Sequence, residues 1–170
     1  MKYKRIIILG GSGSGKSTLA NRISVYTGYP IYHLDKLTFN ADRKRKSISE
    51  CEEISKQFLL NDNGIVDGNY LISLPERIKW TDFIIYIDIP AYLQLYRFIG
   101  RNIKYFFGIE NGYGRPENTK QDFIKELLLC IGWNINHRKK IFSLLESIKD
   151  KKVVITNRPR KLDIEKLLIG

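Results

Sequence analysis

The segment with the strongest chemical signature is a glycine-rich loop near the start of the chain. It satisfies the pattern G-x-x-x-x-G-K-[ST], and its members are Gly10, Gly11, Ser12, Gly13, Ser14, Gly15, Lys16, Ser17 and the following Thr18. Its glycines allow consecutive backbone N–H groups to turn toward one point, where a helix N-terminus adds its positive dipole end. The pattern predicts a phosphate-binding loop, with Lys16 on the β- and γ-phosphates and Ser17 on Mg²⁺. The alternative is a Gly/Ser turn that contains a lysine by chance.

Two carboxylates follow apolar runs and are candidates for one edge of a sheet. Asp67 ends such a run before Gly68, and Asp35 follows the run Pro30–Leu34. Because the carboxyl ends of parallel strands meet at one edge, Asp67 can reach the hydration shell of Mg²⁺ and Asp35 can act on an acceptor hydroxyl. The alternatives are an ordinary Asp-Gly turn for Asp67 and, for Asp35, a helix cap or a lysine partner. His33 lies on the same side of its strand as Asp35, and we expect it to be structural.

A helix predicted from about Ala91 to Phe106 carries a basic face and an apolar stripe. The basic face consists of Arg97, Arg101 and Lys104. The stripe, which we expect to pack, consists of Tyr92, Tyr96, Ile99 and Ile103. Because planar guanidinium groups suit the spread charge of a phosphoryl group, the basic face is a candidate phosphate contact. The alternative is a solvated basic face.

A long helix predicted from about Thr119 to Lys149 places Arg138 in the middle of an apolar stripe. A buried unpaired guanidinium is costly, so Arg138 must meet a carboxylate or open into a polar cavity. We expect a cavity that holds ATP phosphates. The alternatives are a buried ion pair and a bend at Gly132 that turns Arg138 toward solvent. Arg77, earlier in the chain, is expected to face an anionic group of the acceptor.

These residues need an alternation of strands and helices to position them. Apolar runs predict strands at Lys4–Leu9, Pro30–Leu34, Ile65–Val66, Asp82–Ile89 and Lys152–Thr156. Helical patterns separate the strands, and one of them begins with a capping box, Ser47 to Glu50. This alternation predicts a parallel sheet with right-handed crossovers.

The composition is typical of one compact globular domain. The chain has 170 residues, of which 43% are hydrophobic and 28% charged. Its 2 cysteines have no metal-ligand spacing, and no apolar run approaches the ~18 residues of a membrane span. We therefore expect a reduced, cytoplasmic protein with no membrane partner. The net charge of +11 favours polyanionic partners, either non-specifically bound nucleic acid or phosphorylated small molecules.

The GTPase class of phosphate-loop proteins does not fit this sequence. The pattern D-x-x-G is missing from the chain, and Thr119–Asp122 matches a guanine-reading motif by letters but follows a polar loop instead of an apolar strand. The chain is also too short for helicase or large ATPase architectures. A small kinase fits what remains.

Several motifs together resemble the adenylate-kinase-like group of P-loop proteins and, within it, the DNA topology modulation protein family. They are Gly10–Thr18, Tyr32–Asp35, Val66–Tyr70, Leu74–Arg77 and the pair Arg97 and Arg101. The resemblance implies a P-loop kinase-like three-layer α/β sandwich with a five-stranded parallel sheet in the order 2-3-1-4-5, and ATP as donor. Adenylate kinases carry Phe-Pro-Arg after the Asp-Gly pair, where this chain has Asn69 and Tyr70. That departure argues against AMP as the acceptor.

The same resemblance implies how the chain is divided. It implies a single domain over 1–170, with an acceptor-binding segment at about 36–62 and a lid at about 102–119. Arg97 and Arg101 take the place of lid-entry arginines, and Arg115 would move in as the lid closes. Asn157 and Arg158 follow the fifth predicted strand, where the relatives enclose the adenine base.

The function predicted from these observations is ATP- and Mg²⁺-dependent phosphoryl transfer to a small-molecule acceptor such as a nucleoside or nucleotide. The predicted catalytic residues are Lys16, Asp35, Arg97, Arg101 and Arg138, and the predicted metal ligands are Ser17 and Asp67. One alternative is a nucleotide-binding regulatory protein that binds nucleic acid and affects DNA topology. Another is a weak ATPase without an acceptor.

Overall fold

The computed structural model of the chain describes residues 1–37, 46–106 and 136–169, together with 124, 127–128 and 131–132. Residues 38–45 of the predicted acceptor segment and 107–119 of the predicted lid, including Arg115, lie outside the described residues, as do the side chains of Asp35 and Arg101. The chain divides into two compact units. The larger comprises Met1–Gly10, Gly15–Ile87 and Lys149–Gly170, and the smaller comprises Gly11–Ser14 and Asp88–Ile148.

The larger unit is built on a parallel sheet. Its described residues form five strands, in the spatial order β2-β3-β1-β4-β5. The strands are β1 (Arg5–Gly10), β2 (Ile31–His33), β3 (Gly64–Asp67), β4 (Phe83–Ile87) and β5 (Lys152–Thr156). The central strand β1 pairs with β3 up to Ile8↔Asp67 and with β4 up to Gly10↔Ile87. This arrangement confirms the predicted fold class and strand order.

Burial along the strands explains why the sheet has two covered faces. Ile6, Ile7, Ile8 and Leu9 of β1 are all 0% exposed, and every residue of β3 and β4 is buried. Successive strand residues point to opposite faces, so a continuous buried run requires cover on both sides. The edge strands β2 and β5 contain half-buried and exposed positions instead.

The helices of the larger unit begin and end at residues suited to those positions. They are α1 (Lys16–Thr27), α2 (Leu34–Leu37), α3 (Ile48–Leu59), α4 (Leu74–Trp80) and α7 (Ile164–Ile169), with a 3-10 turn at Pro159–Lys161. α1 ends at Gly28, which adopts a left-handed conformation and donates its N–H to Ser24 O at 2.7 Å. The predicted capping box is confirmed, because Ser47 and Glu50 bond each other's backbone N–H groups. The hydrogen bond from the Ser47 hydroxyl lowers the pKa of Glu50.

α4 is a helix that the sequence patterns did not predict. It is short, it has Pro75 in its first turn, and it buries Leu74, Arg77 and Trp80. Seven residues give too few repeats for a helical period to stand out from the polar positions between them.

The smaller unit contains α5 (Ala91–Phe106) and α6 (Arg138–Ser147). The prediction that the tyrosine and isoleucine stripe of α5 packs is wrong. Tyr92 and Tyr96 are 73% and 75% exposed, whereas Gln94 and Phe98 are buried. The helix carries apolar residues around much of its circumference, so periodicity alone selected the wrong face. Among the helices that the structure describes, none is both long and apolar enough to cross a membrane.

Candidate functional site

The loop between β1 and α1 has the backbone conformation that its glycines allow. Gly13 and Gly15 have φ angles of 72° and 100°, in the left-handed region that residues with a Cβ rarely adopt. α1 begins at Lys16, directly after Gly15. The first N–H groups of a helix have no acceptor within the helix, so they are available to an anion. The predicted phosphate loop is therefore present, in its strand-to-helix context.

In the smaller unit, α5 packs against two of the loop glycines. A Cβ at Gly13 would lie 2.8 Å from the backbone O of Gln94 and 3.5 Å from Cβ of Arg97, and a Cβ at Gly11 would overlap the Gln94 amide. The amide is fixed, because its Nε2 donates to Ile89 O at 2.8 Å. The sequence analysis did not identify Gln94 as a contact of the loop, because a glutamine on a helix usually lies at the protein surface. Arg97, a predicted phosphate contact, therefore has its Cβ next to Gly13. The side chain of Arg101 lies outside the described residues.

The predicted metal ligands lie together in the larger unit. The Ser17 hydroxyl donates to Asp67 Oδ2 at 2.6 Å. The adjoining residue, Lys16, is 8% exposed. The second carboxylate oxygen, Oδ1 of Asp67, is buried without a hydrogen-bond partner among the described residues. A buried carboxylate oxygen without a partner is unfavourable, and a cation relieves that cost.

The donor set fits Mg²⁺ held together with phosphates. Mg²⁺ prefers oxygen ligands and is commonly bound by one or two protein groups, with phosphate and water oxygens completing the octahedron. Ser17 and Asp67 supply a hydroxyl and a carboxylate oxygen of this kind. No group of three or more His, Cys, Asp and Glu suited to a metal is found in the part of the chain that the structure describes.

His33 contacts this pair from the end of β2. Its Nδ1 lies 3.0 Å from Asp67 Oδ2, and its side chain is 19% exposed. The ring therefore helps to fix the orientation of the Asp67 carboxylate. Asp35 lies in α2, immediately beyond β2, which places its backbone at the carboxyl end of that strand.

The structure does not place Arg77 at an acceptor. The residue is 0% exposed, and it donates to Ser73 Oγ at 3.2 Å, Gly68 O at 3.2 Å and Tyr70 O at 2.5 Å. The expectation that Arg77 faces an anionic group is wrong, because the guanidinium is used to hold the segment that leaves β3. Asn69, in that segment, forms hydrogen bonds with the backbone of Gly10. The sequence analysis did not predict this contact, since a single Asn after an Asp-Gly pair is typical of a turn.

Arg138 forms an ion pair within the smaller unit. Its Nε and Nη2 donate to the two carboxylate oxygens of Asp88 at 2.8 and 2.7 Å, and its guanidinium lies 5.1 Å from the Phe142 ring centre. The side chain is 45% exposed. This is the ion pair given as an alternative in the sequence analysis, except that it is half-exposed instead of buried. The reason is that α6 buries Ile141 and Leu145 and leaves Arg138 at the margin of that face. A role for Arg138 in catalysis stays a prediction.

The predicted base-binding residues lie in an anchored turn after β5. Asn157 and Arg158 are exposed, and Arg158 donates its N–H to Thr156 Oγ1 at 3.1 Å. The following Pro159 is buried, with its Cγ 3.6 Å from the position of a Cβ on Gly15. Arg22 of α1 donates to the carbonyl oxygens of Pro159, Arg160 and Leu162. The turn is therefore fixed beside the start of α1, although contact with a base stays a prediction.

Comparison with known proteins identifies the fold. No protein-family model matches the chain. A cytidylate kinase of Thermoplasma acidophilum is 33% identical over 115 residues, which cover 57% of this chain and 60% of that protein, so the chain matches about three fifths of the relative's length. A gluconokinase of Sinorhizobium meliloti 1021 has a TM-score of 0.50 and 13% identity, covering 98% of this chain and 87% of that one.

A candidate kinase of Chloroflexus aurantiacus J-10-fl has a TM-score of 0.55 and 14% identity, covering 99% of this chain and 96% of that one. At these identities the likeness shows the fold and no more. The match over nearly the whole length of both solved structures agrees with the observed strand order and with the loop between β1 and α1. The chain has a P-loop kinase-like fold.

Proposed function

We propose that this chain is a kinase that transfers the γ-phosphoryl group of ATP, with Mg²⁺, to a small-molecule acceptor of the nucleoside or nucleotide type. The observation that carries the proposal is the Ser17–Asp67 pair, which stands next to the buried Lys16 in a phosphate loop. The similarity to a cytidylate kinase supports the nucleotide class of acceptor.

The residues of the chain would divide the work between binding and positioning. The loop N–H groups and Lys16 hold the β- and γ-phosphates, while Ser17 and Asp67 hold the cation. Held by these two residues, Mg²⁺ would supply positive charge that offsets the negative charge of the phosphates. Such positioning and electrostatic stabilisation account for most of the catalysis of phosphoryl transfer.

Further roles belong to residues around the loop. Arg97 and Arg101 would contact the transferred group, with Arg138 as a third cation that first has to leave Asp88. Asp35 would orient the acceptor hydroxyl or phosphate. Asn157 and Arg158 would contact the adenine base of ATP. The nucleic-acid alternative is supported only by the net charge of +11 and by the resemblance to the DNA topology modulation protein family, and the comparisons with known proteins do not support it, so we do not carry it further.

The test is a transfer assay with labelled ATP and a panel of nucleosides, nucleoside monophosphates and small alcohols, with and without Mg²⁺. We expect Mg²⁺-dependent labelling of at least one acceptor. Lys16→Ala should reduce the rate about a hundredfold or more, as removal of a preorganised charge donor does in other enzymes. Lys166→Ala, at an exposed position of α7, is the matched control and should leave the rate unchanged. Full activity of folded Lys16→Ala would contradict the proposal.

A further inference from the structure

The side chain of Asn69 continues the pairing between β1 and β3 beyond the end of β3. The last backbone pair is Ile8↔Asp67, and Gly10 and Asn69 each lie two residues further along. The Gly10 N–H donates to Asn69 Oδ1 at 3.3 Å, and Asn69 Nδ2 donates to Gly10 O at 2.5 Å. One side-chain amide therefore satisfies both polar groups of a backbone position that has no β3 residue opposite it.

Asn69 is itself held in place from the interior of the larger unit. The two residues that flank it, Gly68 and Tyr70, both present their carbonyl oxygens to the buried guanidinium of Arg77. The Arg77 side chain is in turn bonded to Ser73 Oγ. Because both neighbours are fixed, little further backbone entropy is lost when the Asn69 amide bonds Gly10.

We infer that Asn69 is a positioning residue for the phosphate loop. The inference rests on the proposed function, since it assigns a residue that prepares the same loop for phosphates. Gly10 is the first residue of the loop, with a φ of 145°, and its peptide groups set the direction in which the chain enters the turn. Fixing that peptide fixes where the following N–H groups point before a nucleotide binds, and preorganised donors bind an anion more tightly.

The experiment compares Asn69→Ala and Asn69→Leu with the wild type and with a control, Asn63→Ala. Asn63 is also half-buried, but it lies in the turn before β3, at the opposite end of that strand. The measurements are the dissociation constant of Mg·ADP by calorimetry, the KM for ATP, and the thermal midpoint without ligand. Binding is measured well below each midpoint, so that only folded protein contributes.

Both Asn69 variants should bind Mg·ADP about tenfold more weakly and raise the KM for ATP by a similar factor, which is the effect of losing one to two hydrogen bonds. Asn63→Ala should match the wild type. Leu has the same number of side-chain heavy atoms as Asn, branched in the same way, so a residue that only fills space would be rescued by Asn69→Leu. Wild-type affinity in either folded Asn69 variant would overturn the inference. If the wild type binds no Mg·ADP, the proposed function fails, and this assignment fails with it.

Discussion

The two segments that leave β1 and β3 reach their shapes in different ways. The loop after β1 turns at two glycines in the left-handed conformation, Gly13 and Gly15. Its path is therefore encoded by glycines, because residues with a Cβ rarely adopt these φ angles. The segment after β3 is held by side chains, because Arg77 bonds two of its carbonyl oxygens and Asn69 ties it to Gly10. A turn encoded by glycines can be recognised from a short motif of neighbouring residues in the sequence. A segment held by side chains depends on a partner whose role appears only in three dimensions.

The largest effect is expected where the side-chain-held segment loses its buried cation. Arg77→Met keeps much of the volume but leaves the carbonyl oxygens of Gly68 and Tyr70 without their donor. We expect the free energy of unfolding to fall by about 3 kcal/mol, because several charged hydrogen bonds are lost in the interior. Denaturant unfolding measures it, with the exposed Arg160→Met as control. Unchanged stability would mean that this segment, like the glycine loop, holds its own shape.

A smaller effect is expected from adding a methyl group to the glycine-encoded loop. Gly13→Ala puts a Cβ on a residue with φ of 72° and 2.8 Å from Gln94 O. The strain should cost about 1–2 kcal/mol of unfolding free energy and weaken Mg·ATP binding. Gly100→Ala on α5 is the matched control, since a Cβ there meets no atom within 4 Å and alanine favours helix. If the two variants had the same unfolding free energy and the same affinity for Mg·ATP, the loop would not depend on the left-handed conformation of Gly13.

The smallest effect is expected at the other end of the strands, where neither segment is involved. Burial raises the pKa of Asp82, but hydrogen bonds from the Arg5 side chain and from the backbone N–H groups of Lys4 and Arg5 outweigh it and lower the pKa below its ordinary value of 3.8. A lowered pKa means that the carboxylate stabilises the fold above pH 3.8 and loses this contribution as the pH falls further.

Asp82→Asn should therefore reduce the free energy of unfolding by up to about 1 kcal/mol at pH 7, since the pair is partly exposed and screened. The difference from the wild type should shrink in urea unfolding at pH 3. Affinity for Mg·ADP should not change. A loss of affinity would show that the two ends of the sheet are not independent.

The features that could be predicted from the sequence are those carried by local patterns. β-branched runs gave the strands, and the parallel order placed Ser17 and Asp67 at one edge, where they are in contact. The orientation of α5 could not be predicted, since apolar residues occur around much of that helix. The roles of Arg77 and Gln94 were also missed, because a buried polar side chain is stable only when tertiary structure supplies its partners.

The central place of β1 in the sheet has a consequence for synthesis on the ribosome. β1 leaves the ribosome before both of its neighbours, which are β3 and β4. Pairings between strands far apart in sequence form slowly, because a long loop must close before they contribute. A nascent chain that has not yet reached Ile87 carries the whole phosphate-loop sequence but lacks the full set of strand partners that fix Gly10. Under the proposed function, ATP would therefore stabilise this fold only late in translation, after most of the sheet has been made.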